Sequence, residues 1–325
     1  MTFARLPLFK HWRATACAVL AAAIVGMTSA ASATEDRSLA LIETTANRPY
    51  TNIEINGIRT TALIDTGATI PLIPERYLDA ERIADTIEDE ARILGIGGQK
   101  YYPVTRLQTL SAGAEGWSDL RIAVNTENKF PIRRSVLPIS IIDARVVDFD
   151  FPNHKVHLYD ESPKRVRRTR RSWISYQEVN DLIFIPVRIN GVRGRALIDT
   201  GADVSFVNPA FAEDTKARID EVRTAMLRGS DLSSNRVSIH TFRRIYFAEN
   251  KIDEVALPVL ETDLFAELGF VDQPMMILGM DVLGQFRMQV DRDKKRVYFL
   301  RSRKPLRRYV NLPAGWGKED SFFGH

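Results

Sequence analysis

The chain has 325 residues, long enough for two domains of ordinary size. Basic residues exceed acidic ones by 45 to 41, but the first 33 residues hold three basic and no acidic side chains. Without them the formal charge drops from +4 to +1, and the balance gives no pointer to nucleic acid. The single cysteine, Cys17, lies in the same stretch, so a chain that has shed it has no disulfide, thiol catalyst or cysteine–metal site.

Residues 1–33 read as a secretory leader: Arg5, Lys10 and Arg13 precede the apolar run Ala14–Gly26, and Ala31-Ser32-Ala33 offers small residues for cleavage. A periplasmic or secreted location is expected, or inner-membrane anchoring if the leader stays. Thr34–Arg48 is too short to fill a cleft as an inhibitory propeptide, and Leu39–Ile42 is expected as a terminal strand of a sheet between lobes. Asn52–Asn56 alternates apolar with polar and ends in Asn-Gly, a hairpin signal, and the strand Thr61–Ile64 runs straight into Asp65-Thr66-Gly67. Short helices are expected near Pro74–Asp89, Pro209–Ile219 and Asp281–Phe286, and turns at Asp150–Asn153 and Asp291–Lys294.

The same series then recurs. Ala62–Ala68 (Ala-Leu-Ile-Asp-Thr-Gly-Ala) returns 134 positions later as Ala196–Ala202, and 11 of the 14 residues in Ile55–Ala68 are identical in Ile189–Ala202. Gly95 and Gly229 each follow their aspartate by 30 positions. Val136–Ile142 aligns with Ile277–Leu283 at an offset of 141, so the second copy has about seven extra residues before that point. A repeat this long is a duplicated domain, since solenoid units run about 20–50 residues. The expected division is lobe 1 at 34–160, a basic linker at 161–180, lobe 2 at 181–303 and a tail at 304–325. Duplication sets two carboxylates, Asp65 and Asp199, to meet face to face. Two close carboxylates cannot both ionise cheaply, so they share a proton and can serve as acid and base together.

These residues resemble the retropepsin-like aspartic proteases over nearly the whole chain beyond the leader. In each half a hairpin leads to apolar-apolar-Asp-Thr-Gly-Ala, then to a glycine-bearing hairpin, then to apolar-apolar-Gly with a short helix; Ile277-Leu278-Gly279 carries that last part. The resemblance implies a mainly β fold, two tandem acid-protease barrels forming a bilobal pseudo-dimer with the cleft between them. It implies an aspartic endopeptidase with Asp65 and Asp199 as catalytic residues, acting on an extended peptide or protein. Thr66 and Thr200 would brace the two loops across the pseudo-dyad, and Gly67 and Gly201 would let their backbones approach the carboxylates. Gly95, Ile96, Gly97 and Gly98 would form the tip of a substrate-covering flap. The matching segment of lobe 2, Leu227–Asp231, keeps one glycine, so closure is expected from lobe 1. No cofactor or metal is implied, and the expected state is a monomer.

Two departures stand out. Ala68 and Ala202 occupy positions where pepsin-like enzymes usually carry a hydroxyl that lowers the dyad's pKa, so activity is expected from mildly acidic to near-neutral pH. Pro138 stands where the family has glycine, which leaves open a catalytically silent peptide-binding module; an enzyme assembled from two chains is a further alternative. Six basic residues in the eight positions Lys164–Arg171, and a similar run from Arg301, would allow a weak membrane-surface contact, although a solvated linker and tail are the favoured reading. His154 and His157 are expected on a hairpin surface, not at a metal.

Overall fold

The computed structural model describes residues 37–43, 48–78, 89–95, 98–126, 134–228 and 234–302. The leader, the tail beyond 302, Ile96, Gly97 and Gly229 lie outside them.

The first half contributes strands β1 (Ser38–Ile42), β2 (Tyr50–Ile55), β3 (Ile58–Asp65), β4 (Leu72–Pro74), β5 (Asp89–Gly95), β6 (Gly98–Ala112), β7 (Glu115–Asn125), β8 (Ser135–Pro138), β9 (Val146–Asp150) and β10 (Lys155–Tyr159). The second half contributes β11 (Thr169–Ser175), β12 (Gln177–Val179), β13 (Leu182–Ile189), β14 (Val192–Ile198), β15 (Phe206–Val207), β16 (Arg218–Arg228), β17 (Ser234–Phe247), β18 (Asn250–Val259), β19 (Met275–Leu278), β20 (Arg287–Asp291) and β21 (Arg296–Ser302). Its helices are α1 (Pro209–Asp214), α2 (Asp263–Glu267) and α3 (Met280–Leu283). The fold is mainly β, as expected.

Each half wraps one sheet on the same plan. Lobe 1 runs β1-β2-β3-β8-β4-β7-β6-β5 and closes through β2–β6; lobe 2 runs β12-β13-β14-β19-β15-β18-β17-β16 and closes through β13–β17. The Asn-Gly pairs make the first turns, with φ of 46° and 84° at Asn56 and Gly57 and 49° and 97° at Asn190 and Gly191. Both central residues of such a two-residue turn need positive φ, which Asn and Gly tolerate.

A third sheet joins the lobes in the order β1-β10-β9-β20-β21-β11. Its middle pair, β9 and β20, runs antiparallel with Asp148 opposite Gln289. These two residues are repeat equivalents, so the pseudo-dyad passes between them. One face of this sheet carries Val147, Phe149, Met288, Val290, Val297 and Phe299 into a core that also holds Ile64 and Ile198.

Residues 161–180, expected as a linker, supply β11 and β12. Ser38 pairs with His157 as Trp173 pairs with Tyr298, and Ile42 pairs with Tyr50 as Gln177 pairs with Phe184. β11 and β12 are therefore the second copy of β1, and Leu39–Ile42 is the interlobe strand expected of it. Charge density hid the strand because its cations lie over aromatic rings: Arg171 over Tyr298 at 4.0 Å and Arg296 over Trp173 at 3.9 Å.

The helix expected over Pro209–Ile219 is shorter. Asn208 caps its start by accepting from Phe211 N at 3.2 Å, while Lys216 turns left-handed at φ 49° and β16 begins at Arg218. Near Pro74–Asp89 the described residues hold only a 3-10 turn at Glu75–Tyr77. The extra residues of the second copy surround α2, in a loop from Leu260 to Pro274 that replaces the shorter passage between β7 and β8.

Candidate active site

β3 ends at Asp65 beside Pro138 of β8, and β14 ends one residue before Asp199, whose N–H donates to Leu278 O at 3.1 Å. Parallel pairing to β8 and β19 thus delivers each Asp-Thr-Gly to the seam between the lobes. There Thr66 N donates to Thr200 Oγ1 and Thr200 N to Thr66 Oγ1, both at 3.0 Å. Each hydroxyl then donates across the seam, Thr66 Oγ1 to Ile198 O and Thr200 Oγ1 to Ile64 O, both at 2.7 Å. Both threonines are fully buried, so all four bonds are shielded from water.

This lattice brings the Asp65 and Asp199 carboxyls together at the seam, each against the opposite lobe's glycine. Gly67 and Gly201 are required by that approach. A Cβ on Gly67 would sit 2.7 Å from Asp199 Cγ, and one on Gly201 would sit 2.7 Å from Asp65 Cγ. Each glycine makes room for the opposite lobe's carboxyl.

The two carboxyls differ in their donors. Asp65 Oδ1 accepts one amide, Gly67 N at 2.7 Å. Asp199 Oδ1 accepts two, Gly201 N at 2.8 Å and Ala202 N at 3.0 Å. Burial, and then the charge of Asp199, push Asp65 up to about 8 against the pull of its one amide. Burial also raises Asp199, but its two amides and the nearby Arg48 favour the anion. Both residues keep an edge open to the cleft. The shared proton therefore belongs on Asp65, with Asp199 the carboxylate.

Arg48 is a site residue that the sequence reading missed. Its guanidinium, just ahead of β2, pairs with Asp203 across the seam, with Nη2 donating to Oδ2 at 2.6 Å. Its charge favours ionisation of both dyad carboxyls. In the repeat, Arg48 corresponds to Leu182 and Asp203 to Thr69, so the pair occurs on one side only. Breaks in the repeat close to Asp-Thr-Gly were the available signal.

A second missed group backs lobe 2. Gly279 N donates to Ser205 Oγ at 2.9 Å, and Ser205 Oγ donates to Asp281 Oδ1 at 2.5 Å. Burial raises Asp281 to about 6 against these bonds. A Cβ on Gly279 would sit 2.8 Å from the Val204 carbonyl carbon and 2.9 Å from Ala202 O, so glycine is obligatory there. In lobe 1 the equivalents of Gly279, Ser205 and Asp281 are Pro138, Pro71 and Ser140. Pro138 lacks the N–H and Pro71 lacks the acceptor, so donor and acceptor are lost together and no orphan remains. A 3-10 turn, Ile139–Ile141, replaces the α-helix. Pro138 thus changes the support behind Asp65 while the threonine lattice and the Gly67 amide bond stay intact.

The flap residues Gly95 and Gly98 pair directly, while Ile96 and Gly97, expected at the tip, lie outside the described residues. In lobe 2's hairpin the last described pair is Arg228 with Ser234, and a bulge lies between Asp220 and Thr224. Lobe 1's hairpin also reaches across the seam, where Arg92 Nη1 lies 3.0 Å from Glu267 Oε2 on α2. His154 is exposed in a left-handed turn after Phe151–Asn153, and His157 lies on β10.

Two family descriptions match the chain, one in each lobe: "gag-polyprotein putative aspartyl protease" over residues 51–137 and "Aspartyl protease" over residues 185–282. Among curated proteins, DNA damage-inducible protein 1 of Chaetomium globosum is 24% identical over 133 residues, 41% of this chain and 28% of that protein. The chain thus spans little more than a quarter of that relative. Among solved structures, the aspartic proteinase from Irpex lacteus aligns with a TM-score of 0.52 at 11% identity, covering 82% of this chain and 97% of that one. That likeness is one of fold.

Proposed function

We propose that this chain, retropepsin-like in both halves and an aspartic-type peptidase by that likeness, is an endopeptidase working through Asp65 and Asp199. Asp199, the carboxylate held by two amides, takes a proton from a water as its oxygen attacks the scissile carbonyl carbon. Asp65 gives its proton to the carbonyl oxygen, leaving a neutral gem-diol. Collapse of that diol breaks the C–N bond as a proton passes to the leaving nitrogen. The observation that carries this reading is the unequal donor set, two amides on Asp199 against one on Asp65, within a symmetric threonine lattice.

The substrate is an extended segment of a protein outside the cytoplasm. The hairpin β5–β6 supports the first part, because an extended strand can pair with an edge hairpin that covers a cleft. The leader-like residues 1–33 support the second. The silent-module reading draws on Pro138, but Pro138 lies beside Asp65 without disturbing its bonds to Gly67 or the threonine lattice.

Digestion of casein or a peptide library is the test. Cleavage should persist in EDTA and with serine- or thiol-directed reagents. A statine-type hydroxyl inhibitor should stop it by placing its oxygen between the carboxyls. Loss in EDTA that zinc restores would overturn the assignment.

A further inference from the structure

The interlobe sheet has a second face, turned away from the core beneath the dyad. On it Trp173, Tyr298, Gln289 and Asp148 stand in one row across β11, β21, β20 and β9. The passage from β10 to β11 is bound to this face. Gln289 Nε2 donates to Lys164 O at 3.1 Å, Lys164 N donates to Tyr159 Oη at 3.3 Å, and Arg171 donates to Pro163 O at 3.4 Å. The basic stretch is therefore not a loose tether. It is fixed on the molecule's underside, opposite the core face that leads to Asp65 and Asp199.

Arg165, Arg167 and Arg168 are exposed there, and among the described residues none of the three is ion-paired. Beside them Trp173 is 48% exposed, with Arg296 over its ring. Clustered cations around an exposed indole are the side chains that an interface of anionic headgroups over hydrocarbon accepts.

We propose that this underside docks on an anionic phospholipid bilayer, with Trp173 at headgroup level and the cleft turned away from the lipid. An exposed indole among cations suits the headgroup level of a bilayer, whereas the grooves of a nucleic acid call for a protruding element. Docking in this orientation would hold the cleft a molecule's depth above the membrane, where extracytoplasmic portions of membrane proteins stand. The placement does not depend on the peptidase assignment.

The test uses the full chain with vesicles of phosphatidylglycerol or of phosphatidylcholine. Tryptophan fluorescence is quenched by brominated lipid in the wild type and in Trp173→Phe, so the difference reports Trp173 alone even if the leader also anchors the chain. Quenching of Trp173 should appear with phosphatidylglycerol, be absent with phosphatidylcholine, and fade with salt as the Debye length shrinks. Arg165→Gln/Arg167→Gln/Arg168→Gln should abolish it and lower partitioning by about a hundredfold, at roughly fivefold per cation. The triple variant should keep its melting temperature, and its cleavage of a soluble peptide if the peptidase assignment holds. Equal Trp173 quenching in wild type and triple variant, or none in either, would overturn the proposal. So would binding to heparin or duplex DNA that matches phosphatidylglycerol binding and ignores Trp173→Ala.

Discussion

Lobe 1 and lobe 2 hold their aspartates with the same threonine bonds and the same cross-lobe glycines, but they are supported differently from behind. Lobe 2 backs Asp199 with the buried chain Gly279–Ser205–Asp281 and gives it a second amide. Lobe 1 backs Asp65 with two prolines and apolar packing around Ala68, Ile70 and Tyr102. The threonine lattice and the cross-lobe glycines stayed paired after duplication, while the supports behind them and the seam pair Arg48–Asp203 diverged. Divergence gave two carboxyls of unlike acidity from one sequence motif, which is what a division of labour between acid and base requires.

The largest expected effect tests whether the unlike lobes act as one site. Asp65→Asn and Asp199→Asn should each cut kcat about a thousandfold or more, and the double variant should be no worse than either single one. Near-normal turnover in Asp65→Asn would break the comparison outright, leaving lobe 2 to work as a pair of chains.

The supports come next. Gly279→Ala must push backbone atoms at Ala202 and Val204, at about 1–3 kcal/mol. Pro138→Gly removes no hydrogen bond and should cost only about 0.4–1 kcal/mol through the unfolded chain. Denaturant melts of the two variants give the difference, and equal losses would mean that the lobes are supported alike.

Acidity supplies a third test, with a definite sign. The Asp65 carboxyl is raised from its ordinary 3.8 to about 8, so the folded state resists its ionisation. Its contribution to stability is full below its ordinary pKa and is lost as pH rises through about 8. Asp65→Asn should therefore melt above the wild type near pH 8, and this advantage should shrink toward pH 4. An advantage that grows toward acid would reverse the assigned protonation.

The smallest effect concerns the flap. Arg92 and Glu267 are both substantially exposed, so their pairing contributes about 0.2–1 kcal/mol, weakening with salt. A double-mutant cycle on kcat/KM, with Arg92→Glu/Glu267→Arg as the rescue, should recover a coupling of that size. A coupling of zero at low salt would remove the one tie observed between lobe 1's hairpin and α2.

Much of this was legible in the chain before any coordinates, for a local reason. The duplicated Ala-Leu-Ile-Asp-Thr-Gly-Ala, the Asn-Gly turns and the apolar alternation are short-range signals, and each fixed an element that formed as expected. What escaped depended on partners far along the chain. Arg48 and Asp203 are 155 positions apart, and neither is repeated in the other lobe. The strand β11 was masked because six cations in eight positions resemble a solvated stretch, whereas its pairing with β21 and the stacking over Tyr298 and Trp173 are visible only in space. The end of α1 was misjudged by several residues because the left-handed turn at Lys216 has no glycine to announce it.

The central pairing of β9 with β20 also governs which halves can mate. Asp148 meets Gln289 at the pseudo-dyad, and Arg287 clasps Asp148 through Nε at 2.8 Å and Nη2 at 2.7 Å, with Asp150 as a further partner. Two copies of lobe 1 joined in the same way would set Asp148 against Asp148 with no arginine to neutralise them. Two copies of lobe 2 would set Gln289 against Gln289 and leave each Arg287 opposite Asp291, the counterpart of Asp150, without the Asp148 that it clasps. Each lobe cut free would also bare a long strand edge, open to pairing with strangers. The half-molecules are thus better fitted to each other than to themselves, so the seam itself favours the single chain over a pair of like halves.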